Sequence, residues 1–248
     1  MPVDYGKWVL SIRDILILLG LTAAGGLIVG WLFYDNLALG AAVGALGLLF
    51  IPKYKKWKAE QRQRELLLQF RDLLYSISSS VSVGRSMSQA LEESIIFWQG
   101  TYSESDMIMQ ELKSMICRIR ESNTEDIEVL RDFAGRSGLS DVEDFVDVYE
   151  NCKGTGANLI QAINRAAVVI GDKITLEKEL QMLMAQKRFE SRVVMSSPFA
   201  VLMFLKIMSP EYLLPLTSTS QGMAVSTAAL ILIVTASFMM ERVTRFEI

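Results

Sequence analysis

Long uncharged apolar runs at both ends of the chain constrain its fold more than any other feature. Ile15–Phe33 carries no charged residue and as a helix spans about 28 Å, close to the roughly 30 Å hydrocarbon core of a bilayer. Leu37–Ile51, also uncharged, follows almost at once and predicts the return leg of a membrane hairpin. Val193–Leu205 and Met223–Met240 predict a second hairpin near the other end. The sequence therefore predicts about four transmembrane helices in two hairpins.

Basic residues flank these runs on one side only. Residues 53–64, KYKKWKAEQRQR, follow the second run and contain six Lys or Arg. Apart from Lys206 at the end of the third run, the charged residues inside the two hairpin connections are the acids Asp35 and Glu211. Because cytoplasmic loops carry an excess of Lys and Arg, we expect a multi-pass protein of the cytoplasmic (inner) membrane, with both termini and the central segment in the cytoplasm. The basic cluster is also suited to contact anionic membrane lipid.

Two G-x-x-x-G patterns lie in the first two runs, at Gly26–Gly30 and Gly40–Gly44. Such spacing lets two helix backbones approach closely in lipid. Two uses follow from the pattern: the hairpin packs on itself, or it packs on a neighbouring subunit and supports self-association.

The central segment has the periodicity of a helical bundle. Residues 59–191 contain no proline, and apolar residues recur three or four positions apart instead of alternating. Breaks are predicted at Gly84, Gly100, Asn123, Gly138 and Gly154-Thr-Gly156. We therefore expect an all-α membrane protein in which a transmembrane hairpin (1–52) and a second hairpin (192–248) flank a cytoplasmic antiparallel bundle of about six helices (53–191). The last bundle helix is expected to enter the third span without a break.

Two of the predicted breaks share the form G-x-[S/N]-x-x-Q-A-[L/I]. Glycine can take the left-handed conformation that ends one helix, Ser or Asn can cap the next, and Gln three residues later completes a capping box. The small alanine allows close helix contact. The two corners are either tight turns and nothing more, or turns that also meet a partner. Their residues are Gly84, Ser86, Gln89 and Ala90 in the first copy and Gly156, Asn158, Gln161 and Ala162 in the second.

Acidic residues are dense between the two corners, where nine acids accompany two arginines over residues 125–150. Three interpretations remain open for this stretch: a solvated helix face, a docking surface for a basic protein, or a site of acid–base or metal chemistry. The candidate partner-docking residues within it are Asp141, Glu143, Asp144 and Asp147.

Composition argues against catalysis and nucleic-acid binding. The chain has no histidine, which excludes histidine-dependent triads and metal sites, and its net charge of −3 gives no basis for binding nucleic acid. Cys117 and Cys152 match no zinc spacing and are expected to be buried small apolar residues. No nucleotide-binding loop is present. We expect a non-enzymatic protein without cofactor or metal, the alternative being a small multi-pass transporter or permease subunit.

Several segments in this order resemble the type II secretion system F domain family, and more narrowly the TadB/TadC platform proteins of tight-adherence (Flp-type) pili. The resemblance covers roughly residues 66–200 and the flanking spans. It is carried by Phe70–Leu74, Ser82–Leu91, Lys153–Leu159 and Glu177–Pro198.

The resemblance implies an integral membrane platform protein that contacts a cytoplasmic secretion ATPase and couples it to the assembly of pilin subunits. Longer relatives carry two cytoplasmic bundles, and this chain carries one. It also has Lys153 where those relatives often have Gly-Glu-x-x-Gly, so an acidic site is not carried over to this turn. A half-sized platform of this kind implies a second, related platform protein as a partner.

Overall fold

A computed structural model describes residues 5–6, 12–47, 51–155 and 158–244. These residues form helices, and they contain no β-strand. Within the described ranges the helices are α1 (Ile12–Tyr34), α2 (Leu37–Leu46), α3 (Ile51–Ser82), α4 (Met87–Trp98), α5 (Met107–Glu121), α6 (Asp126–Ser137), α7 (Ser140–Thr155), α8 (Leu159–Met208), α9 (Pro210–Ser218) and α10 (Ser220–Thr244).

Three of the described helices, α1, α8 and α10, are long and apolar enough to cross a membrane. The predicted span at Leu37–Ile51 falls on α2, which has 10 residues, and on residues 48–50, which lie outside the described ranges. The predicted all-helical class is therefore confirmed for the described residues, together with three candidate spans. The fourth span stays a prediction.

The chain divides into two compact units. Tyr5, Gly6 and residues 55–177 belong to the first unit, and residues 12–47, 51–54 and 178–244 belong to the second. We call the first unit the bundle. The domain boundaries expected from the sequence, after residues 52 and 191, stay predictions.

The bundle is built on the apolar stripes that the sequence shows. The ring of Phe70 packs against Phe133 and Phe145, with centroids 5.9 and 5.5 Å apart. Each helix from α3 to α8 places one stripe in this core and leaves its other faces to solvent, which is the arrangement that 3.6-residue periodicity predicts. Fully buried members include Leu66, Leu74, Leu91, Leu112, Val142 and Ile163.

The helix breaks fall where the sequence places them. Gly84, Gly100, Asn123 and Gly138 all lie between helices, and Asn123 and Gly138 take left-handed φ values of 50° and 63°. Gln63 donates from Nε2 to the carbonyls of Ser137 and Gly138, at 3.1 and 3.2 Å, and so ties the end of α6 to α3. Of the break predicted at Gly154-Thr-Gly156, Gly154 and Thr155 instead belong to the last turn of α7, and Gly156 lies outside the described residues.

Helix α8 runs unbroken for 50 residues, about 75 Å. Ile163, Ala167 and Ile170 in its first part are buried in the bundle core, and Lys206 lies in its last turn. The expectation that the last bundle helix continues into the third apolar run is confirmed. One continuous element therefore contributes to both compact units.

Pro198 lies inside α8 without ending it. Proline has no amide proton, so the carbonyl of Val194 loses the partner that it would have in a regular helix. The hydroxyl of Ser197 donates to that carbonyl at 2.8 Å and satisfies it. This local substitution explains how a proline is accommodated inside the helix.

Within the second unit, α1 and α2 form a hairpin whose contact surface is glycine. Gly26, Gly30, Gly40 and Gly44 are all buried. A Cβ on Gly26 would collide with the backbone of Gly44, and one on Gly30 would collide with the backbone of Gly40. Of the two uses left open by the G-x-x-x-G patterns, packing of the hairpin on itself is therefore the one that the structure contains.

The turn between α1 and α2 holds the last turn of α8. The Lys206 ammonium lies 2.9 Å from the Asp35 carboxylate, also donates to the Trp31 carbonyl, and sits 4.6 Å from the centroid of the Trp31 ring. Asp35 has φ 51°, and Asn36 caps α2 by accepting from the amide of Ala38 at 2.9 Å. Lys206 is thus anchored by a carboxylate, a carbonyl and an aromatic face.

The connection between the third and fourth apolar runs contains a short helix that the pattern of apolar runs does not predict. Pro210 begins α9 at the position where proline is tolerated, because the first helical amide has no partner to lose. Gly222 then lets α10 pack closely against α9, since a Cβ there would lie 2.7 Å from the Leu216 carbonyl oxygen. The corner between α9 and α10 is therefore closed by a glycine contact.

Candidate docking site

The first helix corner has the geometry that its sequence predicts. Gly84 has φ 85°, and the amide bonds Gly84 to Val81 O and Arg85 to Ser80 O, at 3.0 and 3.2 Å, close the end of α3. Ser86 accepts from the amide of Gln89 at 3.3 Å, and the Gln89 side chain accepts from the amide of Ser86 at 3.1 Å. The predicted capping box is therefore present.

The rest of the corner residues divide between the core and the surface. Ala90 is fully buried, as a small contact residue should be. In the second corner Asn158 accepts from the amide of Gln161 at 3.2 Å, and Ala162 is half-buried. Gly156 lies outside the described residues. The two copies thus share the capping bond from the amide of the glutamine to the side chain of Ser86 or Asn158.

We expect Gly84→Val to lower the unfolding free energy of the bundle by about 1–2 kcal/mol, because a branched side chain is strained at positive φ. No atom lies within 4 Å of a Cβ built on Gly84, so the cost is conformational and not a clash. A thermal melt of the full chain in detergent should show a Tm lower by a few degrees.

Gly135→Ala is the matched control for this change. Gly135 lies inside α6 with no atom within 4 Å of its added Cβ and no positive φ. Alanine favours a helix interior, so this variant should melt at the same temperature or higher. Equal melting of wild type and Gly84→Val would contradict the left-handed turn.

The four acidic residues predicted to dock a partner differ in exposure and in ion pairing. We call Asp141, Glu143, Asp144 and Asp147 the α7 acidic surface. Asp141 pairs with Lys173 at 2.7 Å and is mostly covered. Glu143, Asp144 and Asp147 are exposed. Glu143 and Asp147 are one turn apart on α7, so they point to the same side of the helix.

Glu143 and Asp147 line a shallow groove of about 200 Å³ between α6 and α7. Arg131 lies in the same groove and pairs with Asp147, at 3.4 Å, and with Glu150. Among the described residues, no ion pair involves Glu143 or Asp144. The groove therefore presents a net negative edge beside one internally paired arginine, a chemistry suited to a basic side chain of a partner.

Sequence reasoning misses the most buried charges of the bundle. Glu111, with a side chain only 5% exposed, accepts two hydrogen bonds from the guanidinium of Arg136, each 2.7 Å long. Arg136 also contacts Asp132 at 3.1 Å, and Asp132 accepts from Arg118 at 2.6 Å. The hydrogen bond to Glu111 raises the pKa of Arg136 above its ordinary value. These four charges hold α5 and α6 together.

Three tyrosines donate to carboxylates in the bundle. Tyr5 donates to Glu111 at 2.8 Å, Tyr102 to Asp72 at 2.6 Å, and Tyr149 to Asp126 at 2.8 Å. Burial raises the pKa of each phenol, and the hydrogen bond to the carboxylate raises it further. All three phenols are therefore held protonated in the folded bundle.

We expect the bundle to lose stability above about pH 10, the ordinary pKa of tyrosine. A folded-state pKa above the unfolded value means that the contribution of a phenol is complete below pH 10 and is lost as the pH rises. Each such phenol adds a slope of up to about 1.4 kcal/mol per pH unit. Urea unfolding of the full chain between pH 8 and 11.5 measures this slope. Tyr149→Phe should make it shallower, and an unchanged slope would contradict the coupling.

The described residues hold no group of three or more cysteines and acids that could bind a metal ion. Cys117 is exposed, so the prediction that it is buried is wrong. It lies on α5 away from the stripe that includes Ile108 and Met115, and its thiol donates to Glu121 at 3.1 Å, which raises the pKa of the thiol. Cys152 is half-buried.

These observations define a class: an all-helical protein in which three described helices are long and apolar enough to cross a membrane, with a helical bundle that carries an acidic groove. No family model, curated protein or solved structure matches the chain. The likeness to type II secretion F domains therefore rests on the sequence motifs themselves.

Proposed function

We propose that this chain is an integral membrane platform protein of a Flp-type pilus or type II secretion-like machine, which couples a cytoplasmic secretion ATPase to the assembly of pilin subunits. The observation that carries the proposal is the continuity of α8. A helix whose first part is packed in the bundle core and whose last part is an apolar span transmits displacement along its axis. The protein acts by contact and without catalysis.

Four membrane crossings in two hairpins are part of this proposal. Tyr5 is buried in the bundle, so an even number of crossings separates it from Leu66 in the same core. Helix α1 supplies one crossing, and Leu37–Ile51 is the uncharged run that can supply the other. The tight glycine contact between α1 and α2 supports the same reading, because it is the packing expected of two antiparallel helices in lipid.

The contact between Lys206 and Asp35 supports the path of the second hairpin. It brings the end of α8 to the turn of the first hairpin, so under the proposed topology both lie on the extracytoplasmic side of the membrane. The fourth apolar run then provides the return crossing, and Arg242 and Arg245 follow it in the sequence. The basic segment 53–64 lies between the second apolar run and the bundle in the sequence. By the positive-inside rule, we therefore propose that the bundle and both termini lie on the cytoplasmic side of the inner membrane.

The ATPase is proposed to dock at the groove of the α7 acidic surface. Glu143 and Asp144 have no ion-pair partner among the described residues, and Asp147 shares the groove with Arg131. A basic side chain from the ATPase would replace or join Arg131 there. The Gly84 corner supplies a rigid turn in the same bundle as a second candidate contact.

The G-x-x-x-G surfaces are used inside the α1–α2 hairpin, so association with a second platform subunit requires other surfaces. Exposed apolar residues on the candidate spans meet this need. Leu16, Ile28, Phe204, Leu232 and Phe238 are all more than half exposed. We propose that the second platform protein, or another copy of this chain, and membrane lipid cover them.

A clean deletion tests the function in cells. It should abolish surface pili while the pilin is still synthesised and inserted in the membrane. Normal piliation would contradict the proposal. Transport of a small solute by the purified protein in proteoliposomes, combined with normal piliation, would favour a permease instead.

Charge reversal tests the docking surface. Glu143→Lys with Asp144→Lys should reduce pilus assembly and abolish a crosslink between α7 and the ATPase, while the amount of membrane-inserted protein is unchanged. Glu179→Lys, an exposed acid on α8, is the matched control and should retain assembly. An equal loss in the control, or normal assembly in the double variant, would exclude this groove as the contact.

A further inference from the structure

Tyr5 is buried in the bundle, where it contacts residues that are distant from it in the sequence. Its side chain is 1% exposed, and its hydroxyl bonds to Glu111, a residue 106 positions away. Its amide donates to the carbonyl of Arg136 at 2.9 Å. The guanidinium of Arg62 lies over its ring, 4.8 Å from the centroid. Three helices, α3, α5 and α6, therefore each contribute a contact to one tyrosine from outside the helical array.

The three contacts recognise three different features of a tyrosine. The buried Glu111 carboxylate accepts from the phenol, Arg62 faces the π surface, and the Arg136 carbonyl accepts from the main chain. Arg136 also holds Glu111 in place through two hydrogen bonds. The carboxylate is thus oriented by its own helix pair and needs no contribution from the N-terminal segment to keep its position.

Tyr102 and Tyr149 show that a phenol–carboxylate bond alone does not make such a site. Tyr149 lies on α7 and bonds to Asp126 on the neighbouring α6, so both partners belong to the helical array. Tyr102 lies in the short connection between α4 and α5. Tyr5 belongs to neither kind of element, since it precedes the first described helix.

We propose that Glu111, Arg136 and Arg62 form a tyrosine-binding socket on the bundle, and that the N-terminal segment of the same chain is its ligand. The segment then acts as a strap. Docking of Tyr5 joins the bundle to the start of α1, because only six residues separate Tyr5 from Ile12. The strap is separable: Tyr5 can leave the socket while the bundle stays folded around Phe70 and its neighbours.

Nitration of the full chain in detergent by tetranitromethane tests the strap. Mass spectrometry of tryptic peptides separates Tyr5, Tyr75 and Tyr149, since each lies in its own peptide. In the wild type we expect Tyr5 to react far more slowly than Tyr75, which is 46% exposed. In Glu111→Gln the amide oxygen can still accept from the phenol but carries no charge, so we expect Tyr5 to react about fivefold to tenfold faster, the difference between a charged and a neutral acceptor.

Tyr149 is the internal control for folding, because it is equally buried but contacts Asp126. It should stay protected in Glu111→Gln. If both tyrosines become reactive there, the variant has unfolded, and Arg62→Gln, which removes the cation from the ring face and keeps the Glu111–Arg136 pair, decides instead. Rapid nitration of Tyr5 in the wild type, or continued protection of Tyr5 in a folded Glu111→Gln or Arg62→Gln protein, would overturn the proposal.

Discussion

Replacing Gly30 with valine is expected to break the α1–α2 hairpin. The Cβ of any larger residue there meets the backbone of Gly40, and backbone atoms cannot rotate away as a side chain can. Overpacking of a core costs about 1–3 kcal/mol when side chains give way, so we expect a loss of more than about 3 kcal/mol at this contact. The measurement is the Tm of the purified full chain in detergent, which should fall by about 6–12 °C.

Gly25→Val is the matched control in the same helix. No atom lies within 4 Å of a Cβ on Gly25, which is exposed. The control should melt within a few degrees of the wild type. If Gly25→Val and Gly30→Val lower the Tm equally, the effect comes from valine in α1 and not from the glycine contact.

Replacing Arg136 with alanine is expected to lower the unfolding free energy of the bundle by about 3–5 kcal/mol. The change leaves the Glu111 carboxylate buried without its cation, and an uncompensated buried charge is among the most destabilising defects in a protein. Urea unfolding of the full chain measures the loss. The variant Glu111→Gln combined with Arg136→Met removes both charges and should recover a large part of it.

Arg131→Ala provides the comparison, since Arg131 lies on the same helix and also pairs with two carboxylates. The Arg131 side chain is 55% exposed, and the side chains of its partners Asp147 and Glu150 are 63% and 48% exposed. Exposed pairs contribute about 0–1 kcal/mol, so this variant should be nearly as stable as the wild type. Similar losses for the two arginine variants would mean that burial of the Glu111 pair does not control its energy.

Local features of the fold are predictable from the sequence because their causes are local. The corner at Gly84, Ser86 and Gln89 needs only a residue that tolerates positive φ and two side chains that cap the next helix. The continuity of α8 follows from the lack of proline before Pro198, and the single glycine in that part, Gly171, does not end the helix. At Pro198 itself, the hydroxyl of the neighbouring Ser197 donates to the Val194 carbonyl in place of the missing amide.

Contacts between distant segments are not predictable in the same way. Periodicity places Ile108 and Met115 on the buried face of α5, and Glu111 lies one turn from each, which is a signal for a buried acid. Nothing in the spacing names Arg136 or Tyr5 as its partners. The exposure of Cys117 is predictable from its position on α5, because the residue lies off that stripe. Only the general tendency of cysteine to be buried favoured the opposite prediction.

The partner of the G-x-x-x-G patterns also required the structure. The pattern specifies a close helix contact, and a hairpin or a second subunit satisfies it equally well. The close approach of Gly26 to Gly44 and of Gly30 to Gly40 decides between them. The difference between Asp141 and the other residues of the α7 acidic surface also required the structure. Asp141 is paired by Lys173, which lies on another helix, α8, and the sequence pattern does not predict that contact.

Labelling of cysteine with a membrane-impermeant maleimide tests most directly whether the bundle lies in the cytoplasm between two membrane hairpins. Cys117 is an exposed native probe of the bundle in a Cys152→Ser background, and Ser209→Cys in a cysteine-free background probes the exposed turn after α8. In intact spheroplasts, Ser209→Cys should react at once and Cys117 only after the membrane is permeabilised. Reaction of Cys117 in intact spheroplasts, or protection of Ser209→Cys until permeabilisation, would contradict the account.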